Sequence, residues 1–262
     1  MSDNWDKKDI IEGEYQVLEE RDAVEGYQEH QYHKNDNYLE MDSRPPYVTY
    51  VLLGLIIAAY LIMSISGLIY SLDINQQLLI FGAKVNILVA YGQYWRLLTA
   101  MFLHIGIVHL LFNSYALYIY GPIVERLFGK TKFLLVYLLS GLMGSLLSYV
   151  FSPNPAAGAS GAIFGLLGSL LYFRQRRKDI FKRVFGTGLM MIIGINLFYG
   201  FVQPGIDNWG HIGGLMGGFL LGNAVGLYKE KKTGIKMLLI WVLIALIFAL
   251  GLWFGQLKYG AV

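Results

Sequence analysis

Seven long apolar stretches constrain the fold of this 262-residue chain more than any other feature. A helix needs about 20 mostly apolar residues to cross a bilayer, and inside the bilayer only helices and closed barrels satisfy every backbone polar group. Charged residues make up 15% of the chain, against about 25% in soluble domains. The sequence therefore predicts an all-α polytopic membrane protein with spans near 47–70, 106–124, 132–151, 158–173, 185–203, 209–228 and 236–256.

The distribution of Lys and Arg among the connecting loops predicts the orientation of the spans. The loops after the third and fifth spans, near SPNPAA and QPGIDN, contain neither residue. Since basic loops remain in the cytoplasm, we expect a cytoplasmic N-terminus and an extracytoplasmic C-terminus in the cell (plasma) membrane. The basic loops follow the second, fourth and sixth spans and contain Arg126, Lys130, Lys132, Arg174, Arg176, Arg177, Lys178, Lys182, Arg183, Lys229, Lys231, Lys232 and Lys236.

Residues 1–46 differ from the rest of the chain in charge. They contain 13 acidic and 5 basic residues, whereas residues 47–262 contain 5 acidic and 16 basic residues. The opening MSDNWDKKD lacks the apolar run of a signal peptide. We expect a flexible or partly helical cytoplasmic tail that ends at the turn sequence Arg44-Pro45-Pro46. His30 and His33 could bind a metal. Because no carboxylate or Cys ligands cluster around them, the pattern favours a solvated tail, and no metal site is predicted.

Residues 71–105 are too apolar for a free loop and too interrupted for a span. This pattern predicts an interfacial element in the lipid headgroup region, with Trp95 and Arg96 as anchors.

Four polar residues are predicted to lie at similar shallow depth on three spans that run in the same direction. Ser160 begins the fourth span, His211 begins the sixth, and His109 and Asn113 share one face of the second because they are four residues apart. Polar groups at membrane depth are costly unless they serve a cavity or each other. We therefore expect these side chains to converge.

Serine and histidine in contact suggest nucleophilic catalysis, because an imidazole can take the hydroxyl proton and later protonate a leaving amine. The alternative is simple helix packing, in which Ser160 is a packing hydroxyl or a cap and His211 a satisfied hydrogen-bonding group. Small residues that would form such packing surfaces line both helices: Gly158, Ala159, Gly161, Gly165, Gly168, Gly210, Gly213, Gly214, Gly217 and Gly218.

Five motifs across residues 47–228 together resemble the rhomboid intramembrane serine proteases. GxSG alone is a weak pattern, but the combination in this order is specific. The motifs are Trp95-Arg96, HIGIVHLLFN at 104–113, YGPIVERLFG at 120–129, GASG at 158–161 and GHIGGLMGG at 210–218.

The resemblance implies a role for each matching residue. Ser160 would be the nucleophile and His211 the general base and acid of a dyad, while His109 and Asn113 would form the oxyanion hole with the Ser160 amide. Supporting roles fall to Gly158, Gly161, Phe164, Trp95 and Arg96, with Phe164 placed to stack on His211, and Gly214 and Gly218 would pack helices. Glu125, Arg126 and His104 match positions that are structural, and Asp207, four residues before His211, is a conceivable third triad member that the family pattern does not require.

The same resemblance implies a six-helix core over 47–228 with a short central fourth helix. Residues 229–262 would add a basic loop, a seventh span and a short outer C-terminus, a "6+1" layout.

The function implied is an endopeptidase that cleaves transmembrane segments of single-span membrane proteins near the outer membrane face, without a metal, an organic cofactor or a nucleic-acid partner. One alternative is a non-catalytic rhomboid-like protein that binds transmembrane helices. A transporter or channel is the other, but such proteins carry mid-membrane charges and internal repeats, and this sequence has neither.

Overall fold

Helices form wherever the sequence predicts a span. The computed structural model describes residues 39–231 and 233–260, and within these ranges it has eleven α-helices and one 3₁₀ turn at Ala100–Phe102. His30, His33 and most of the acidic segment lie outside the described residues. The helices are α1 (Tyr47–Tyr70), α2 (Ile74–Phe81), α3 (Asn86–Ala90), α4 (Arg96–Thr99), α5 (Gly106–Phe128), α6 (Lys130–Phe151), α7 (Ser160–Arg176), α8 (Lys178–Phe185), α9 (Gly188–Val202), α10 (Asn208–Val225) and α11 (Ile235–Tyr259).

Helices α1, α5, α6 and α11 are each long and apolar enough to cross a membrane. Helices α8 and α9 together give a fifth candidate span, with a bend of 72° between them. The fourth predicted span, α7, is short, with 17 residues, as the sequence predicts. The chain is therefore a multi-pass membrane protein, and the layout with seven crossings remains a prediction.

Helix α7 lies at the centre of the bundle and is buried along most of its length. It packs mainly on α10 and α6, with α5 on a further side. Helices α1, α9 and α11 instead leave most of their apolar side chains exposed. A continuous apolar exterior of this kind fits a protein whose outer helices face lipid.

Glycines allow α7 and α10 to approach closely. A Cβ atom at Gly214 would lie 2.8 Å from the carbonyl carbon of Gly161, and one at Gly218 would lie 2.7 Å from the Cα of Gly165. Because no side chain fits in this contact, the two backbones meet directly. The predicted packing role of Gly214 and Gly218 therefore matches the observed contact.

The predicted interfacial element, residues 71–105, folds into three short helices and the 3₁₀ turn. Asp73 caps α2 by accepting hydrogen bonds from the backbone N–H groups of Asn75 and Gln76. The prediction that Arg96 anchors this element in lipid headgroups is wrong. Arg96 is only 5% exposed, and its Nη1 donates to the carbonyls of Leu79 and Ala83.

Glu125 holds the other end of the bundle together. Its carboxylate accepts hydrogen bonds from the backbone N–H groups of Val48 and Thr49, which are unpaired donors in the first turn of α1. The compact unit begins at Met41, and the Asp42 N–H donates to the Arg126 carbonyl at 2.8 Å. Glu125 therefore has a structural position, in which it joins α5 to the start of α1.

Candidate active site

Ser160 is the first residue of α7 and follows an extended connection, residues 152–159, that leads out of α6. The first N–H groups of a helix have no partner within the helix, and the positive end of the helix dipole lies at the same place. The hydroxyl is half-buried. Sequence and fold therefore place a partly accessible hydroxyl beside free amide donors.

His211 lies in the first turn of α10, where the glycine contact brings α10 against α7. Its Nε2 is 3.0 Å from Ser160 Oγ, within hydrogen-bond distance. The imidazole stacks on Phe164, with ring centroids 4.3 Å apart and an interplanar angle of 10°. The expected stack of Phe164 on His211 is present, and it fixes the plane in which the imidazole meets the serine.

Asp207 does not complete a triad in this arrangement. Its Oδ1 accepts a hydrogen bond from the Gly210 N–H at 3.2 Å, so it caps the start of α10. Among the described residues His211 Nδ1 has no hydrogen-bond partner. The geometry is that of a pair, Ser160 and His211.

His109 and Asn113 lie together on the first two turns of α5. Asn113 is buried, and its Nδ2 donates to the His109 carbonyl at 2.9 Å, which leaves one amide N–H for another acceptor. His109 Nδ1 accepts from the Ile105 N–H at 3.4 Å. A ring nitrogen that accepts leaves the other nitrogen, Nε2, to carry the proton.

Gly158 connects these groups to the nucleophile. Its φ of +140° lies in a region that L side chains rarely adopt. A Cβ atom here would lie 2.7 Å from His109 Cε1, 2.9 Å from His109 Nε2 and 3.8 Å from Ser160 Oγ. The backbone at Gly158 therefore passes between the histidine and the serine, where a side chain would close the space.

A small cavity of about 40 Å³ opens beside Ser160. Its walls are mostly small residues, contributed by α6, by the 152–159 connection and by the starts of α7 and α10. Sequence reasoning missed Gly141, Gly144 and Ser145 of α6 as lining residues, because a small residue on a packed helix usually marks helix contact. The lining residues are Ala100, Met101, Gly141, Gly144, Ser145, Ala156, Ala157, Gly158, Ser160, Gly161, Asp207 and Gly210.

Trp95 and Arg96 do not reach this cavity. Arg96 Nε donates to Gln93 Oε1 at 2.6 Å, and its guanidinium lies 4.6 Å from the centre of the Trp95 ring. A Cβ atom at Gly82 would clash with the Trp95 ring and with Thr99. These contacts hold the 71–105 element together.

His104 is fully buried and packs edge-on against His109, with ring centroids 5.2 Å apart. Burial lowers the pKa of His104 to about 4, and the neighbouring His109 adds to the effect. His104 is therefore a neutral packing partner of the site. Within residues 39–231 and 233–260, no group of three or more His, Asp or Glu side chains is arranged to hold a metal ion.

Known proteins match the same part of the chain that forms this site. Residues 91–228 match the family described as Rhomboid domain. "Rhomboid protease GluP" of Bacillus subtilis (strain 168) is 49% identical over 201 residues, which cover 77% of this chain and 39% of that protein. "Putative rhomboid protease YdcA" of the same organism is 38% identical over 149 residues, covering 56% of this chain and 75% of that protein.

"RHOMBOID-like protein 4" of Arabidopsis thaliana is 45% identical over 144 residues, covering 54% of this chain and 36% of that protein. The matched part of the chain thus spans well under half of two of these three relatives. The match nevertheless includes His109, Ser160 and His211 and spans α5 to α10. On this match, and on the fold that carries it, the chain belongs to the rhomboid family.

Proposed function

We propose that this protein is an intramembrane serine endopeptidase that cleaves transmembrane segments of single-span membrane proteins through a Ser160–His211 dyad. The observation that carries the proposal is the 3.0 Å contact between His211 Nε2 and Ser160 Oγ. A serine hydroxyl is a weak nucleophile until a base removes its proton. The names of the bacterial relatives, both called rhomboid proteases, support the same activity.

In the acylation step, Ser160 Oγ attacks the scissile carbonyl carbon while its proton passes to His211 Nε2. The new C–O bond gives a tetrahedral intermediate with a negatively charged oxygen. That intermediate collapses when the C–N bond breaks and His211 returns the proton to the leaving amine. The products of this step are an acyl-enzyme on Ser160 and the released amine fragment.

Water completes the cycle. His211 takes a proton from a water molecule that attacks the acyl carbon, and it then protonates Ser160 Oγ as the ester bond breaks. The stack on Phe164 holds the imidazole in one plane through these transfers. Protein groups and water supply every atom, so the proposal needs no metal or organic cofactor.

Three donors on α5 and α7 are available to stabilise the developing oxyanion. These are the Ser160 backbone N–H at the start of α7, the remaining amide N–H of Asn113 and Nε2–H of His109. The backbone at Gly158 keeps this space open, since a side chain there would meet His109 Nε2. We assign His109 and Asn113 to the oxyanion hole on this basis.

The cavity beside Ser160 favours a small side chain before the scissile bond. The walls of this cavity are mostly small residues, which leave room for a small side chain beside the serine. A helical peptide bond is shielded by its own hydrogen bonds, and an extended backbone exposed to lipid is costly. Cleavage is therefore expected where a transmembrane segment unwinds easily and meets water near the outer membrane face.

Orientation completes the proposal. By the positive-inside rule, the basic loops favour a cytoplasmic N-terminus and an outer C-terminus, in the plasma membrane. With six spans in the core and α11 as a seventh, Ser160 and His211 would lie near the outer face.

A protein that binds transmembrane helices without cutting them is the second candidate, because it would share this bundle and its exposed apolar faces. The contact between Ser160 and His211 favours the protease, since binding alone requires neither side chain. The two candidates differ in one measurable property, peptide-bond cleavage.

The test is cleavage of a tagged single-span reporter protein in proteoliposomes, with wild type compared with Ser160→Ala and His211→Ala. We expect cleavage by the wild type and a loss of at least about 1000-fold in both variants, because removing the nucleophile or its base removes acylation. Thermal unfolding of each purified variant controls for folding. Reporter that binds the wild type but is never cut would favour the helix-binding candidate.

A further inference from the structure

Lys84 is a charged residue that the catalytic mechanism does not use, yet it is fully buried. Its relative exposure is 0%, in the loop between α2 and α3. Burying an ammonium group is costly unless its protons find acceptors. The acceptors of Lys84 therefore indicate what the residue does.

The three protons of Lys84 have three acceptors within reach. Nζ lies 2.7 Å from the Asn154 carbonyl, 2.9 Å from Asn86 Oδ1 and 3.4 Å from the Ser148 carbonyl. The Ser148 carbonyl, which also accepts the Ser152 N–H at 2.9 Å, belongs to the last turn of α6, where the helix dipole favours a cation. The ammonium is thus fixed between the end of α6 and the connection that follows it.

Asn86 extends this contact along the same connection. Its Nδ2 donates to the Ser152 carbonyl at 2.7 Å, while its Oδ1 accepts from Lys84. The backbones of Lys84 and Ala156 exchange two hydrogen bonds of 2.9 and 3.0 Å, and the Gly158 N–H donates to the Ala100 carbonyl at 2.9 Å. Every second residue of the extended 152–158 segment is therefore held by the interfacial element.

The held segment leads directly to the nucleophile. Ala156, Ala157 and Gly158 line the cavity beside Ser160, and Gly158 separates Ser160 from His109. A displacement of about 1 Å at a catalytic group can lower the rate about 100-fold. The position of this connection therefore sets the geometry of attack.

We propose that Lys84, with Asn86, is a positioning residue for Ser160: its buried ammonium fixes the 152–158 connection that carries the Gly158 backbone and the start of α7. This proposal rests on the proposed protease function. Substitution of Lys84 should change kcat rather than KM, because Lys84 touches neither the cavity nor the dyad. Activity should fall more than stability, because Lys84→Met removes the desolvation cost of a buried ammonium while it leaves buried acceptors without their donor, and these two effects on stability oppose each other.

The test compares Lys84→Met with Lys258→Met in proteoliposomes. Lys258 is the matched control because its Nζ also donates to a carbonyl near the end of α6, that of Val150 at 3.1 Å, but it touches nothing in 152–158. We expect Lys84→Met to lower kcat and the rate of Ser160 labelling by a fluorophosphonate about 10- to 100-fold, with KM within about threefold and a melting temperature within a few degrees of the wild-type value. Lys258→Met should keep wild-type rates.

Hydrogen exchange of the Ala156 and Gly158 amides gives a readout that does not depend on proteolysis. Exchange should rise in Lys84→Met and stay at the wild-type level in Lys258→Met. Unchanged exchange in Lys84→Met would overturn the positioning role of Lys84, whether or not the wild type is active. If the wild type is inactive and exchange rises in Lys84→Met, only the protease function is overturned. Wild-type kcat in Lys84→Met, or losses of activity and melting temperature in parallel, would also overturn the positioning role.

Asn86→Ala decides the case if Lys84→Met does not fold. It removes the bond to the Ser152 carbonyl but leaves Lys84 two of its acceptors. We expect a smaller effect, a fall of about 3- to 10-fold in Ser160 labelling. A labelling rate equal to that of the wild type would contradict the proposal.

Discussion

Glycines are frequent in two regions, the contact between α7 and α10 and the outer helix α9. They serve different purposes in the two regions. At Gly214 and Gly218 an added Cβ atom would meet the backbone of α7, whereas at Gly188 and Gly194 of α9 it would meet nothing within 4 Å. The first pair brings Ser160 and His211 into contact. Glycine content alone therefore does not identify the functional helix contact, and the neighbouring backbone does.

Substitution of Gly214 should have the largest effect on cleavage and stability. In Gly214→Ala the methyl group collides with the Gly161 backbone, so α10 must move away from α7 and carry His211 with it. We expect cleavage to fall at least about 100-fold and stability to fall by about 1–3 kcal/mol. Reporter cleavage and thermal unfolding measure the two effects.

Gly194→Ala is the matched control for that variant. The methyl group has free space, and alanine is the better helix former, so cleavage should equal that of the wild type with equal or slightly higher stability. Equal losses in Gly194→Ala and Gly214→Ala would contradict the distinction between the two contacts.

Two aromatic residues of α7 allow a similar comparison within one helix, because only one of them contacts the candidate site. Phe164 stacks on His211, whereas Phe173 lies toward the other end of α7 and contacts Phe181. Leucine keeps most of the apolar volume but has no ring face, so Phe164→Leu should let the imidazole tilt. We expect kcat to fall about 10-fold in Phe164→Leu and to change less than twofold in Phe173→Leu.

Both substitutions remove a buried ring and should cost similar stability, about 1 kcal/mol. Melting temperatures of the two variants provide this check. A fall in kcat that simply follows the loss of stability in both variants would mean that the stack has no orienting role.

The stability of the folded protein should also depend on pH, through His104. The folded-state pKa of about 4 lies below the ordinary value of 6.5. The unfolded chain therefore binds a proton that the folded chain does not bind between these values, so stability is complete above pH 6.5 and decreases as the pH falls toward 4. The melting temperature of the wild type should drop over this range more than that of His104→Phe, which lacks the titrating group.

His104→Phe keeps an aromatic ring next to His109, which makes it a conservative reference. Identical pH dependence of the two melting temperatures would show that His104 is not buried as a neutral group.

Much of the candidate site follows from the sequence because its groups are costly in a membrane. Ser160, His109, Asn113 and His211 are polar residues in apolar helices, and a shared depth and direction are enough to predict that they meet. This inference needs only helix periodicity and the order of the spans. The stack of Phe164 on His211 is instead implied by the resemblance to the rhomboid family.

The remaining features depend on contacts between distant residues. Arg96 looks like a headgroup anchor in sequence, but the carbonyls of Leu79 and Ala83 enclose it. Lys84 is bound to carbonyls 64 and 70 residues away, and no local pattern marks it as buried. Helix α8 and the 72° bend before α9 also escape the hydropathy pattern, because α8 lies in a stretch that reads as a basic loop.

The most direct test of the central claim is fluorophosphonate labelling of the purified protein in liposomes, with the modified residue located by mass spectrometry. The Ser160–His211 contact predicts a single adduct on Ser160 in the wild type. It predicts a labelling rate at least about 100-fold lower in His211→Ala, where the hydroxyl is intact but its base is missing. Labelling of Ser160 at the same rate in His211→Ala, or no adduct on Ser160 in a folded wild type, would contradict the dyad.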